Sequence, residues 1–226
     1  MTPAQPLRRF FKRVVPLGVR VAMRGLQSEI AVWRIHRRSL RRARSLKLPS
    51  DLKLNIGCGS NLKDGWINID LRDGSDLQLD LREPIPFENE SVSVVYSEHF
   101  FEHLNYPDES LYFLREAYRV LKPSGLLSTG VPDAQELLKA YVNGDRDYLR
   151  KVDPWQPDWC DTPMHRVNFV FRQGGEHKYA YDFETLKQVL TQAGFVDVER
   201  RPFREGLDNE ARRLGTLYVD ARKPAS

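Results

Sequence analysis

The chain has 226 residues, 41% of them hydrophobic and 29% charged. That suits one α/β domain with a modest extension and excludes a fibrous or wholly disordered chain. The net charge of +4 hides an asymmetry: residues 1–48 carry 13 of the 35 basic residues and a single acid, Glu29, so the rest of the chain is acidic. An acidic domain argues against a broad nucleic-acid groove across it.

Residues 1–50 read as a basic extension of amphipathic helix. Leu7, Phe10, Phe11, Val14 and Val15 recur at helical spacing, Pro16 interrupts, and Leu26, Ile30, Trp33 and Leu40 mark a second apolar face among arginines. The apolar run Val14–Val19 there is far below the roughly 18 residues of a membrane span and is too short for a secretory core. Cys58 and Cys160 lie far apart, outside any CxxC spacing, and read as reduced thiols.

From residue 51 short apolar strands alternate with helical patterns. Strands are predicted at Leu52–Ile56, Trp66–Ile69, Leu77–Leu81, Val92–Tyr96, Leu126–Val131, Val196–Arg200 and Thr216–Ala221. Helices are predicted over 108–122 and 182–193, the second with Asp182 as N-cap and Gly194 as its stop. The expected fold for residues 51–226 is a Rossmann-like, mostly parallel seven-stranded sheet with helices on both faces and an antiparallel last strand. Residues 132–181 are a long substrate-side insert.

Ligands of such sheets sit beyond the carboxyl ends of the strands. Gly57 and Gly59 allow a tight turn after the first strand and close approach to a ligand. Asp70, ending the second strand, can accept from both hydroxyls of a ribose. Asp80, ending the third, can accept from an adenine amino group. Strand four ends at Ser97–Glu98–His99. The third glycine of a dinucleotide fingerprint is absent, Leu62 standing there, and the Gly59-to-Asp70 gap is shorter than the ~20 residues that fingerprint expects. Both departures weaken a nicotinamide oxidoreductase.

Six segments follow in order: Leu54–Gly59, Gly65–Asp70, Asp80–Phe87, Tyr96–Leu104, Leu121–Gly125, and Tyr181–Leu186 with Ala193–Phe195. Together they resemble the class I S-adenosylmethionine-dependent methyltransferases. The likeness is greatest to a small bacterial branch associated with polysaccharide and cell-envelope biosynthesis, and it spans roughly residues 51–221. The resemblance implies S-adenosylmethionine as cofactor, with Gly57, Cys58 and Gly59 at its methionine part and Asp70 and Leu71 at the ribose. Asp80 and Leu81 would lie at the adenine, with Ser97 and Glu98 along the side. Asn55 stands where many relatives carry an acid, so its contact with the cofactor departs from theirs.

A sulfonium is an already activated methyl donor, so the protein must supply alignment, exclusion of water and, for a hydroxyl acceptor, a base. His99 and His103 are four residues apart beyond strand four, with Glu98 and Glu102 alongside. His177 sits near the expected acceptor mouth. These three histidines are the candidate bases. No third ligand is placed by spacing beside His99 and His103, so no metal is assigned.

The expected reaction is methyl transfer to a hydroxyl of a glycan or other small acceptor, with Trp155 and Trp159 of the insert suited to a sugar ring. The competing readings are a non-catalytic cofactor-binding module and the nicotinamide oxidoreductase. The basic extension suggests a cytoplasmic protein peripherally attached to an anionic membrane surface. Nucleic acid is disfavoured as a partner, because the Asn/Asp-Pro-Pro-aromatic run of adenine-modifying enzymes is missing.

Overall fold

A computed structural model describes residues 14–225; the first apolar stretch of the extension, up to Arg13, lies outside them. Helix α1 (Leu17–Ala43) starts directly after Pro16, whose fixed φ and missing N–H suit a helix start. Leu17, Val21, Leu26, Ile30 and Trp33 are exposed along it, and only His36, Ser39 and Ala43 near its end are buried. Among the described residues no helix is long and apolar enough to cross a membrane.

Six strands form one sheet: β1 (Leu52–Ile56), β2 (Ile67–Ile69), β3 (Val92–Glu98), β4 (Leu121–Pro132), β5 (Val196–Arg200) and β6 (Thr216–Arg222), in the order β2-β1-β3-β4-β6-β5. Strands β1 to β4 are parallel, and β6 runs antiparallel to both β4 and β5. The expected antiparallel last strand is present; the expected seventh strand is not. Residues 77–81 make only a single bridge, Leu77 to Ile69. Leu77, Leu79 and Leu81 are all buried, as their alternation predicts. Their outer backbone edge, however, meets α1. Ser39 Oγ accepts from the Gln78 N–H at 2.9 Å, and His36 Nδ1 accepts from the Asp80 N–H at 3.2 Å. Two side chains of the extension thus satisfy donors that a further strand would otherwise take.

One face of the sheet is apolar. Val95, Leu127 and Ala221 are in register across β3, β4 and β6. They share a core with Phe113, Leu114 and Ala117 of α2 (Asp108–Val120) and with Leu186, Val189 and Leu190 of α6 (Phe183–Gln192). Asp182 caps α6 through the Thr185 N–H at 2.9 Å, as predicted. The opposite face carries Tyr96, Ser128 and Asp220 in register. There residues 201–208, rather than the expected helix, lie over the sheet. Buried Arg201 donates to Ser128 at 3.1 Å, to Asp220 at 3.0 Å and to both oxygens of Asp208 at 2.6 and 2.7 Å. Tyr96 donates its hydroxyl to Asp208 at 3.0 Å.

The 132–181 insert is not a plain loop. It folds as α3 (Ala134–Val142), α4 (Arg146–Lys151) and α5 (Pro163–Arg172), which share a small second core of Leu137, Ala140, Leu149, Val167 and Val170.

Burial would raise the Asp208 carboxyl, but the Arg201 guanidinium and the Arg204 N–H outweigh it and hold it below the ordinary carboxylate range. A depressed folded pKa contributes stability that is complete above the unfolded value of about 3.9 and is lost as pH falls through the folded value. Asp208→Asn should therefore cost about 1.5–3 kcal/mol near neutrality, because buried Arg201 loses one of its two carboxylate partners and keeps Asp220. In urea unfolding followed from neutral to acid pH, the gap between the native protein and the variant should shrink as the medium passes below about 4.

Candidate active site

The turn after β1 is shaped by two left-handed glycines, Gly57 at φ +62° and Gly59 at φ +52°. They serve different ends. A Cβ at Gly57 would lie 2.6 Å from the Cβ of Phe100, whereas a Cβ at Gly59 would meet nothing within 4 Å. Gly57 lets the segment after β3 pack onto the turn; Gly59 leaves open space. Asp70 closes the turn from β2, its Oδ2 accepting from the Gly59 N–H at 2.8 Å and its Oδ1 from the Arg72 N–H at 2.9 Å. Turn and carboxylate form one unit, with Leu71 exposed beside it. Cys58 is buried, and burial together with the nearby Asp70 pushes its thiol up to about 11, so it remains protonated. Both cysteines are unpaired.

Asp80 stands apart from this unit. Its carboxylate is doubly held by Arg82, with Nε to Oδ1 at 2.9 Å and a terminal nitrogen to Oδ2 at 2.8 Å, and Arg82 in turn reaches Glu29 of α1 at 2.7 Å. Burial opposes its ionisation, yet Arg82 keeps the acid below its usual range. Asp80 opens onto a recess of about 770 Å³ between α1 and residues 82–86, also lined by Trp33 and Glu109. The lining of that recess does not include Gly57, Gly59 or Asp70. The Leu81 side chain is buried in the core.

Three predicted positions serve neighbouring structure. The Asn55 amide donates to the Asn61 carbonyl and to Asn68 Oδ1, both at 2.9 Å, which pins the loop between β1 and β2. Ser97 faces the apolar side and shares a hydrogen bond with Thr129 at 2.9 Å. Glu98 accepts from the Tyr218 hydroxyl at 2.9 Å and from the Asn209 N–H at 3.1 Å.

The histidines converge, though not as helix neighbours. His99 has φ +53°, and a single 3-10 turn, Phe101–His103, follows it. The i, i+4 pairing expected from spacing is therefore replaced by a cluster around Glu102. That side chain is 2% exposed, with His99 Nδ1 3.3 Å and His177 Nε2 3.8 Å from its Oε1. The His103 and His177 rings meet edge to face at 4.8 Å. His99 Nε2 lies 2.8 Å from Thr216 Oγ1. Burial alone would raise the Glu102 carboxyl, but the three imidazoles, His99 first, bring it below the ordinary range. Burial lowers His177, with Glu102 opposing. The Glu102 carbonyl also accepts from the N–H groups of Lys178 at 2.8 Å and Tyr179 at 3.3 Å, which ties the insert's end to this turn.

Residues 70–129, from the end of β2 into β4, match the methyltransferase domain family. No curated protein matches the chain. Among solved structures, an S-adenosylmethionine-dependent methyltransferase from Archaeoglobus fulgidus is 19% identical, covers 86% of this chain and 94% of its own, and superposes with a TM-score of 0.50. One from Mesorhizobium loti is 16% identical over 84% of this chain and 98% of its own, with a TM-score of 0.46. Residues 70–129 thus carry the methyltransferase-domain match, and the chain shares the fold of the Archaeoglobus fulgidus protein.

The residues of this site that sequence reasoning missed are those whose partners come from afar. Thr216 reaches His99 from β6. Arg212 stacks on the Trp155 ring at 5.3 Å. Glu102 was visible only as a neighbour of the histidines, although its place between buried Phe101 and Leu104 was a signal that it, too, points inward.

The two glycines should respond differently to alanine. At Gly59 only the left-handed backbone is penalised, by about 1–2 kcal/mol. At Gly57 the same penalty is joined by collision with Phe100, so thermal unfolding should show Gly57→Ala to be the more damaging of the two.

Proposed function

We propose that this methyltransferase transfers its methyl group to a hydroxyl of a small acceptor, with a glycan in envelope polysaccharide biosynthesis as the favoured class and His99 as the base. The observation that carries the reading is the His99 ring. One nitrogen faces a buried carboxylate and the other borders the cavity, where it meets the Thr216 hydroxyl at 2.8 Å. Thr216 itself donates to the Arg212 carbonyl, so the ring takes a proton from an alcohol when the acceptor's hydroxyl replaces Thr216 at that nitrogen.

The turn fits the cofactor. Gly59 leaves open space where a side chain would intrude, and Asp70 presents a carboxylate at the same turn. When bound, S-adenosylmethionine supplies an electrophilic methyl group. Gly57, Cys58 and Gly59 would hold its amino-acid end through main-chain groups, and Asp70 would take the ribose hydroxyls beside Leu71. Asp80 would face the adenine while still paired with Arg82, and Leu81 would contribute main-chain atoms only. Asn55, Ser97 and Glu98 would shape the site from behind, through the loop, the core and the Tyr218 side respectively. Phe100, lodged against Gly57, keeps the cofactor turn and the histidine turn in contact and excludes water between them.

His99, His103 and His177 border a cavity of about 40 Å³, with Trp155 and Arg212 at its wall. That volume admits a hydroxyl but not a sugar ring. The ring would rest outside, against the exposed face of Trp155.

A second observation concerns the extension. The free length of α1 exposes Leu17, Val21, Leu26 and Trp33 among Arg20, Arg24, Arg34 and Arg38. This supports peripheral attachment to an anionic membrane surface, as a lipid-linked acceptor would favour. Because His36 and Ser39 are structural, the test is removal of residues 1–28. Full-length protein should sediment with anionic vesicles and the shortened chain should not; equal partitioning would discard the idea.

Transfer of label from methyl-tritiated cofactor to a panel of hydroxylated acceptors tests the reaction itself. His99→Asn should lower kcat by about 10²–10⁴-fold while calorimetry with S-adenosylhomocysteine remains unchanged. Trp155→Ala should raise KM for the acceptor and spare kcat. Label transfer undiminished in His99→Asn would remove the base from the scheme.

A further inference from the structure

We propose that Glu102, His103 and His177 bind one divalent transition-metal ion of the zinc class. The claim goes beyond the methyl-transfer reading and does not depend on it.

Glu102 has a side chain 2% exposed, and neither of its oxygens has a well-formed hydrogen bond, the nearest nitrogen, His99 Nδ1, standing 3.3 Å from Oε1. Buried carboxylates are ordinarily paired, because leaving one bare costs several kcal/mol. What faces it is an imidazole presenting the wrong kind of atom. His177 Nδ1 lies 2.5 Å from the Val170 carbonyl, which can only accept, so the proton sits on Nδ1. In the neutral ring Nε2 then carries a lone pair, and it is aimed at Glu102 Oε1 across 3.8 Å. Two acceptors confront each other inside the protein, the histidine side chain 6% exposed and the glutamate 2%. A cation between them turns that repulsion into binding.

The donor set is specific. One nitrogen each from His103 and His177 and one oxygen from Glu102 all lie within 4.8 Å of one another. Two imidazoles and a carboxylate favour zinc-class ions over magnesium or calcium, which take oxygen ligands. Ligands held at about 2.0–2.1 Å around a tetrahedral ion stand roughly 3.3–3.4 Å apart, so the 3.8 Å pair closes by about 0.4–0.5 Å and the widest pair, within 4.8 Å, by up to about 1.4 Å as the ion is taken up. Outer support is already in place. The Val170 carbonyl fixes the His177 tautomer, as hydrogen bonds behind metal-bound histidines do. The Lys178 and Tyr179 N–H groups grip the Glu102 carbonyl, which holds the two ligand-bearing segments together. The adjoining 40 Å³ cavity leaves the fourth position open to water or a hydroxyl. There an ion would lower the pKa of a bound hydroxyl.

The test uses untagged full-length protein, freed of metal by chelation, without cofactor or acceptor. Zn²⁺ is titrated calorimetrically, and Co²⁺ is added to read its visible absorption. Expected are one ion per chain and a tetrahedral Co²⁺ spectrum. Glu102→Gln and His103→Asn, each checked for native circular dichroism, should weaken binding about 100-fold, while His165→Ala on the insert surface should leave it unchanged. Should Glu102→Gln fail to fold, His103→Asn carries the test. Absence of saturable binding, or affinity undiminished in His103→Asn, overturns the proposal. So does a doubly protonated His177 in nitrogen NMR of protein that takes up no ion. Because the readout is binding alone, a failure here leaves the methyl-transfer assay untouched, and the reverse.

Discussion

The site is built around one close approach, Phe100 lying against Gly57. It is permitted because residue 57 has no side chain and its backbone is left-handed. Through it the turn after β1 and the turn after β3 become a single body, although they come from different strands. Everything assigned to methyl transfer hangs on that union. Asp70 is fastened to the first turn through Gly59, and His99, Glu102 and His103 flank Phe100 on the second. The insert joins by main-chain hydrogen bonds to Glu102, so a third part of the chain is registered to the same point.

The sheet is asymmetric in how it is held. On the α2 and α6 face apolar packing does the work, and the driving force is release of water from carbon. On the Tyr96 face, the cover is a guanidinium and three carboxyl or hydroxyl partners with little apolar surface. Such a cover adds less net stability than a packed helix would. It instead fixes the position of the 201–215 segment, which delivers Asn209 to Glu98 and Arg212 to Trp155. Electrostatic geometry on one side thus positions groups for the pocket, while the other side supplies the bulk of the cohesion.

Much of the fold was legible from local patterns. The strands bearing Leu54, Val95, Leu127 and Val219 announced themselves as apolar runs, and Asp182 and Gly194 bracketed α6. The failure at 77–81 is instructive. Alternating leucines truthfully report burial, yet burial does not make a strand unless a neighbouring backbone supplies hydrogen bonds, and here Ser39 and His36 do so from 39 and 44 residues away. The same limit applies at the site. Gly57, Gly59 and Asp70 could be read because they are close in sequence and belong to one turn. The meeting of His177 with Glu102 could not, since it depends on how α5 ends and returns. Spacing even misdirected the reading of His99 and His103, because a left-handed residue at 99 broke the helix that an i, i+4 pair presupposes.

Among the described residues helix α1 is clasped only over its second half, from Glu29 onward. At 1.5 Å of rise per residue, Leu17 stands roughly 28 Å along the axis from His36, and the clasp at His36 and Ser39 adjoins Asp80. The helix is in effect an outrigger: a stiff spar joined to the hull beside Asp80. Any surface on which its outer half comes to rest dictates the angle at which the mouth of the enzyme is presented. Trimming or lengthening the spar by a single residue would turn its outer face by about 100°, so reach and bearing are coupled in its length.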